Sequence, residues 1–199
     1  MLRVFHRERA GRPLRIIWVL EEVGEPYELT VMTREEGSGE DHLARHPLGR
    51  VPVLQDEEGF VFESAALCLH LGDLHPGAGL VPPLGTHDRA LVYQWACFAP
   101  AELEPPLFEL WIQAKRDPPR AEEARKRFFA ATDAVEGALD GAEFLVAEKF
   151  TVADVMVGSA LLFTTRAGIA DQLSPSLTGY LGRLGQRPAF QRALQRTFG

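Results

Sequence analysis

The pair Glu63-Ser64 stands where an apolar stretch, Phe60-Val61-Phe62, passes directly into a helix-forming run. The first turn of a helix leaves amide N–H groups without partners and carries a partial positive charge, so it attracts carboxylates. The Ser64 hydroxyl adds a donor, and the Glu63 carboxylate adds an acceptor suited to an ammonium group. Together they match the head of an α-amino acid, with its carboxylate on the turn at Ser64 and its ammonium on Glu63. The same two residues can also do no more than cap the helix. Upstream, His46-Pro47-Leu48-Gly49-Arg50-Val51-Pro52-Val53-Leu54 puts a proline at the opening of an internal strand. Proline cannot donate a ladder bond there. A cis Val51–Pro52 bond is one reason for it, because it turns the Val51 backbone outward for a ligand; a trans proline on an edge strand is the other.

The elements that must position these residues alternate. Leu2-Arg3-Val4-Phe5 reads as a strand, and Pro13 opens a helix at the turn where its missing N–H costs little. Leu14, Ile16, Ile17, Trp18, Leu20 and Val23 give that helix an apolar surface broad enough to lie on a sheet. Gly24 ends it, and Pro26 to Val31 alternates as a second strand, parallel to the first by the right-handed crossover rule. A short helix near Glu40–Arg45, strands over Val51–Leu54 and Phe60–Phe62 joined at Asp56-Glu57-Glu58-Gly59, and a helix from Glu63 to Leu74 complete the order βαβαββα.

The breakers His75-Pro76-Gly77-Ala78-Gly79 and Pro82-Pro83 then mark a boundary. The expected division is a domain over 1–77, a linker over 78–86 and an all-helical domain over 87–199. In the last, Pro100, Pro105 and Pro106 kink or end one helix, Pro118-Pro119 interrupts, and a long helix runs over Arg120–Leu139. Thr151 and Asp154 form a capping box with Phe150 and Val155 as its staple, opening an almost uncharged helix from Val152 to about Ala167. Two shorter helices near Ser176–Gly185 and Pro188–Arg196 follow.

Composition bounds the function classes. The 199 residues are 46% apolar and 25% charged, with net charge −7, which fits a globular protein and excludes a disordered one. Acidity argues against non-specific nucleic-acid binding. No apolar run is long enough for a membrane span, and the charged N-terminus lacks the apolar core of a signal peptide. Cys68 and Cys97, both expected to be buried small hydrophobes, make no disulfide framework, so a reduced, cytoplasmic setting is expected. No His, Cys, Asp or Glu cluster has zinc spacing, so no metal is expected. Arg3, Arg7, Arg9, Arg12 and Arg15 face only Glu8 among the first twenty residues, either as a solvated face or as an anion-attracting surface.

The Pro47–Leu54 run, the Glu63-Ser64 pair, the Phe150–Asp154 box, Arg187-Pro188-Ala189-Phe190 and the stretch Trp18-Val19-Leu20-Glu21-Glu22-Val23-Gly24-Glu25-Pro26-Tyr27-Glu28 occur in one order and spacing. In these the chain resembles the cytosolic glutathione S-transferases of bacterial type over nearly its whole length. The resemblance implies an α/β thioredoxin-like N-terminal domain, an all-α C-terminal helical domain, a homodimer, and glutathione as co-substrate along the first domain. It implies that Val51, beside cis Pro52, holds the cysteinyl backbone and that Glu63 and Ser64 hold the γ-glutamyl head; Arg50 matches a basic position that in some members pairs with the glycyl carboxylate. The implied reaction is addition of the glutathione thiolate to a small hydrophobic electrophile, with isomerisation or dehalogenation on the same first site as an alternative.

One departure stands out. The family activates the thiol with a Tyr, Ser or Cys shortly after the first strand, and His6-Arg7-Glu8-Arg9-Ala10-Gly11-Arg12 contains none of these. A thiol of pKa about 8.5 is only about 3% ionised at pH 7, and lowering it by about 2 units takes about 2.7 kcal/mol. One hydrogen bond to an anion supplies roughly 1.5–3 kcal/mol. The expected donors are the backbone amides of Ala10, Gly11 and Arg12 at the helix start, helped by the Arg12 guanidinium. The competing expectation is a glutathione-binding or regulatory protein without catalysis. His6 is expected to be a packed residue rather than a base. Phe98, Leu103, Phe108 and Trp111 are expected to wall an apolar electrophile pocket, or else to be ordinary core.

Overall fold

The computed structural model describes residues 1–8 and 10–199. Arg9, counted above among the N-terminal arginines, lies outside the described residues. Two compact units divide the chain, one made of Met1–Gly79 with Gln186–Gly199, the other of Leu80–Gly185.

The first unit is built on a four-stranded sheet of order β2-β1-β3-β4, with β1 Leu2–Arg7, β2 Tyr27–Met32, β3 Val53–Gln55 and β4 Phe60–Phe62. β1 runs parallel to β2 and antiparallel to β3, which is antiparallel to β4. β1 extends two residues past the expected Phe5, because His6 and Arg7 still pair with Val31 and Met32. β3 begins later than expected: its pairing with β1 ends at Phe5↔Val53, leaving Val51 and Pro52 outside the ladder. Helix α1, Pro13–Val23, buries every residue from Pro13 to Leu20 and closes on Gly24 with φ 70°. Its apolar character on all sides fits a helix covered on more than one face. Helices α2, Glu40–Arg45, and α3, Ser64–Leu74, complete the expected order.

On one face of the sheet Phe5, Met32 and Val53 form a small cluster with Val51 packed against it, and the Arg45 guanidinium at the end of α2 lies 4.6 Å from the centre of the Phe5 ring. Alternation along β1 explains the split, since Phe5 points to one face and Val4 and His6 to the other.

The second unit is helical: α4 His87–Phe98, a π-type turn over Ala99–Leu103, α5 Glu104–Gln113, α6 Pro118–Ala138, α7 Val152–Leu161, α8 Phe163–Ala167 and α9 Pro175–Gly185. Three expectations need correction. Pro118-Pro119 opens α6 instead of interrupting, with Asp117 capping the Arg120 amide at 3.2 Å, because a first turn tolerates proline. Likewise Pro105 and Pro106 sit in the first turn of α5. The single helix expected over Val152–Ala167 breaks at Leu162, and Thr164 Oγ1 bonds the Leu161 carbonyl there. The capping box is present: Asp154 Oδ2 accepts the Thr151 amide at 2.8 Å, and Thr151 Oγ1 accepts the Ala153 amide at 3.2 Å.

The final helix, α10 Pro188–Phe198, packs on α1 and so belongs to the first unit and not to the helical domain expected over 87–199. Its apolar face stacks Phe190 on Trp18 at 4.6 Å, and its arginines reach the acidic end of α1. Arg187 grips Glu22 with two bonds of 2.6 and 2.8 Å, and Arg192 bonds Glu21 at 2.7 Å.

Candidate functional site

The stretch between α2 and β3 is held from below by two histidines that sequence reasoning passed over. His46 Nδ1 accepts the Leu48 amide at 3.1 Å, and its ring lies 4.5 Å from that of Phe62. His42, fully buried, lies 2.9 Å through Nε2 from the Arg50 carbonyl. Between them Gly49 turns with φ 59°, and a Cβ there would sit 2.8 Å from the Gly37 carbonyl oxygen. Only glycine fits a position that is both left-handed and that close to backbone. The loop therefore delivers Arg50 exposed and Val51 half-buried, and the Val51–Pro52 bond is cis.

Glu63 follows β4 with φ 73°, a left-handed value that a side-chain-bearing residue adopts at a cost of about 1–3 kcal/mol and that clusters at ligand sites. Its carboxylate makes no capping bond to α3, so the amides at the start of that helix have no side-chain acceptor from the cap position. Ser64 is buried beneath, and its Oγ accepts from Arg15 Nη1 at 3.0 Å. Arg15 itself is only 2% exposed. A guanidinium can only donate, so the Ser64 hydroxyl proton is left to point elsewhere. The signal for Arg15 was available: a charge inside Leu14-Arg15-Ile16-Ile17 has to find a buried acceptor.

These residues sit near one another. His46 lies in the fields of Glu63, His42 and Arg50, although burial is the larger influence and holds its pKa down. Cys68, one turn into α3, is fully buried, and burial pushes its thiol up to about 12 against the opposing charge of Arg15. It stays a neutral thiol, as expected for a packed residue. Cys97 departs from its expected burial: it is exposed on the face of α4 that also carries Tyr93 and Gln94.

At the start of α1 the expected donors are fewer than the sequence suggested. The Ala10 amide is engaged by the Arg7 carbonyl at 3.0 Å. The Leu14 and Arg15 amides close onto the Gly11 and Arg12 carbonyls at 3.2 and 3.1 Å, and Pro13 has no N–H. Of the three amides expected to hold a thiolate, that of Ala10 is therefore already used. His6 is buried, with Nε2 3.0 Å from the Thr197 carbonyl of α10, and burial lowers its pKa. Such a neutral, anchored ring fits packing and not base chemistry.

In the helical unit Phe108 packs its ring 4.6 Å from Phe163, Leu103 is fully buried, and Trp111 is 48% exposed. Of the four residues expected to wall a pocket, Trp111 thus offers free apolar surface, while Leu103 belongs to the core. No helix among the described residues is long and apolar enough to cross a membrane, and no group of three or more potential ligands for a metal ion occurs among them.

Comparison with known proteins agrees with this architecture. Residues 2–73 match the glutathione S-transferase N-terminal domain and residues 87–188 the C-terminal domain. The chain is 27% identical to glutathione S-transferase 4 of Zea mays, over 91% of this chain and 86% of that protein. It is 36% identical over 125 residues to elongation factor 1-gamma of Trypanosoma cruzi, a match spanning 63% of this chain but only 30% of that longer protein. The sphingomonad glutathione S-transferase structure in complex with glutathione superposes with a TM-score of 0.87 at 28% identity, covering 98% of each chain. With a sheet of mixed direction followed by helices, and with both domains matched in order, this chain belongs to the glutathione S-transferase family.

Proposed function

We propose that this chain binds glutathione along its first unit and transfers the sulfur to a small hydrophobic electrophile. Membership of the family supports glutathione conjugation as the general chemistry. The observation that carries the assignment to particular residues is Glu63, held at φ 73° directly before a helix start that no side chain from the cap position closes. In this reading the γ-glutamyl carboxylate takes the α3 amides and the Ser64 hydroxyl, its ammonium takes Glu63, the cysteinyl backbone pairs with Val51 beside Pro52, and the glycyl carboxylate meets Arg50. The protein's share of catalysis is orientation and stabilisation of the thiolate. The sulfur lone pair forms the new C–S bond, the thiol proton goes to water, and a halide, where present, leaves with its bonding pair.

The thiolate donors are the Gly11 and Arg12 amides with the Arg12 guanidinium. Trp111 and Phe108 supply apolar surface for the electrophile, and the active assembly is a cytoplasmic homodimer. Arg12→Ala should raise the pKa of the bound thiol and lower conjugation of a chlorodinitro-aryl substrate by about 10–100-fold, as expected for loss of one charged donor. Unchanged thiol pKa and turnover would remove Arg12 from the role. A second reading, binding without turnover, draws on the loop over 6–12, which has no Ser, Tyr or Cys and whose Ala10 amide is already engaged. Saturable glutathione binding with no product from a broad panel of electrophiles would favour it.

A further inference from the structure

We infer that His42 is a positioning residue: by holding the Arg50 carbonyl it aims the Val51 N–H toward the backbone of the bound peptide. The inference rests on the glutathione reading above. The peptide at 50–51 is planar and, unlike its neighbour at 51–52, trans, so its C=O and N–H point in opposite directions. Fixing one fixes the other. No strand does this, because the ladder of β3 with β1 begins only at Val53. The loop up to Gly49 is held by the His46 ring and by the Gly49 amide on the His46 carbonyl at 2.8 Å. The next peptide depends on His42 Nε2, 2.9 Å from the Arg50 oxygen.

The chemistry of His42 supports a directional role. A carbonyl only accepts, so Nε2 carries the proton. Nδ1, an acceptor in the neutral ring and a donor in the charged one, is buried with no hydrogen-bond partner among the described residues. An unsatisfied buried nitrogen is costly, and a phenylalanine or leucine would fill this position without that cost. What a hydrocarbon side chain lacks is the donor to Arg50. Glycine at 49 gives the loop its turn but, lacking a side chain, cannot hold the peptide that follows.

The test uses the full chain with glutathione as the probe. His42→Phe keeps a flat ring and removes the donor, whereas His42→Gln returns an N–H close to where Nε2 lies. Calorimetric titration should give roughly tenfold weaker glutathione binding for His42→Phe, with His42→Gln within about threefold of the parent. Saturating glutathione should shift the Val51 amide resonance of the parent and of His42→Gln, and shift it less in His42→Phe. Folded His42→Phe that binds like the parent, or His42→Gln that loses as much as His42→Phe, would overturn the inference. Imidazole nitrogen shifts of the parent provide a check that needs no variant: a proton on Nδ1 in place of Nε2 also overturns it. A parent that binds glutathione without moving the Val51 resonance, or that does not bind it, brings down the underlying placement instead.

Discussion

Two helix starts in this chain use the same chemical parts to opposite ends. At α7, Thr151 and Asp154 turn inward: the carboxylate is completely buried and accepts the Thr151 amide at 2.8 Å, the Leu145 amide at 3.0 Å and the Tyr180 hydroxyl at 2.9 Å. At α3, Glu63 and Ser64 also bring a carboxylate and a hydroxyl, yet the carboxylate is exposed and caps nothing, while the hydroxyl is held from behind by Arg15. The first start is closed and contributes stability. The second is open and carries backbone strain at Glu63, the two features on which the proposed γ-glutamyl site rests. Local sequence alone does not separate them; what lies beneath does.

The largest expected effect tests the closed start. Asp154→Ala strands the Thr151 amide, the Leu145 amide and the Tyr180 hydroxyl, and should lower unfolding free energy by about 3–5 kcal/mol in urea titration. Glutathione affinity of the folded fraction should not change. If stability hardly moves, the contrast between the two starts is lost. The open start should respond in reverse. Glu63→Gly relieves the positive φ and should raise stability by about 1 kcal/mol while weakening glutathione binding roughly tenfold. A variant both more stable and equally tight would show the Glu63 carboxylate to be a bystander.

The smallest effect concerns acid. His6 and His46 both have folded-state pKa values below the ordinary 6.5, chiefly through burial. Below pH 6.5 the unfolded chain takes up protons that the folded rings refuse, so stability falls as pH drops from 6.5 toward those lowered values. Burial moves Asp154 the other way, raising its pKa, so its contribution does not share this loss. Urea midpoints should be lower at pH 5.5 than at pH 7.5, and His6→Gln, which can still bond the Thr197 carbonyl, should narrow the gap. An unchanged gap would place the acid sensitivity outside the His6 pocket.

Features encoded within a few residues were legible in the sequence. The βαβαββα order, the turn at Asp56–Gly59, the Thr151–Asp154 box and the Glu63-Ser64 start all depend on near neighbours. Buried polar residues were not. Arg15, His42 and His46 look like ordinary members of helices or their ends until a partner 49, 8 or 2 residues away is placed against them. Nothing in the local sequence marks the Ala10 amide as engaged, because its acceptor is the carbonyl at the end of the preceding strand, that of Arg7. Prolines are ambiguous in one direction: those at 105, 106, 118 and 119 suggest breaks, yet each sits in the first turn of a helix, where the missing N–H has no partner to lose.

The clasp of α10 on α1 has a consequence for biosynthesis. His6 waits for Thr197, 191 positions later, and Glu22 for Arg187, 165 positions later. Contacts closed over such spans are slow to form. A nascent chain with its first 79 residues outside the ribosome still lacks the cover for Trp18 and the partner for His6, so the unit made first is the last to be sealed.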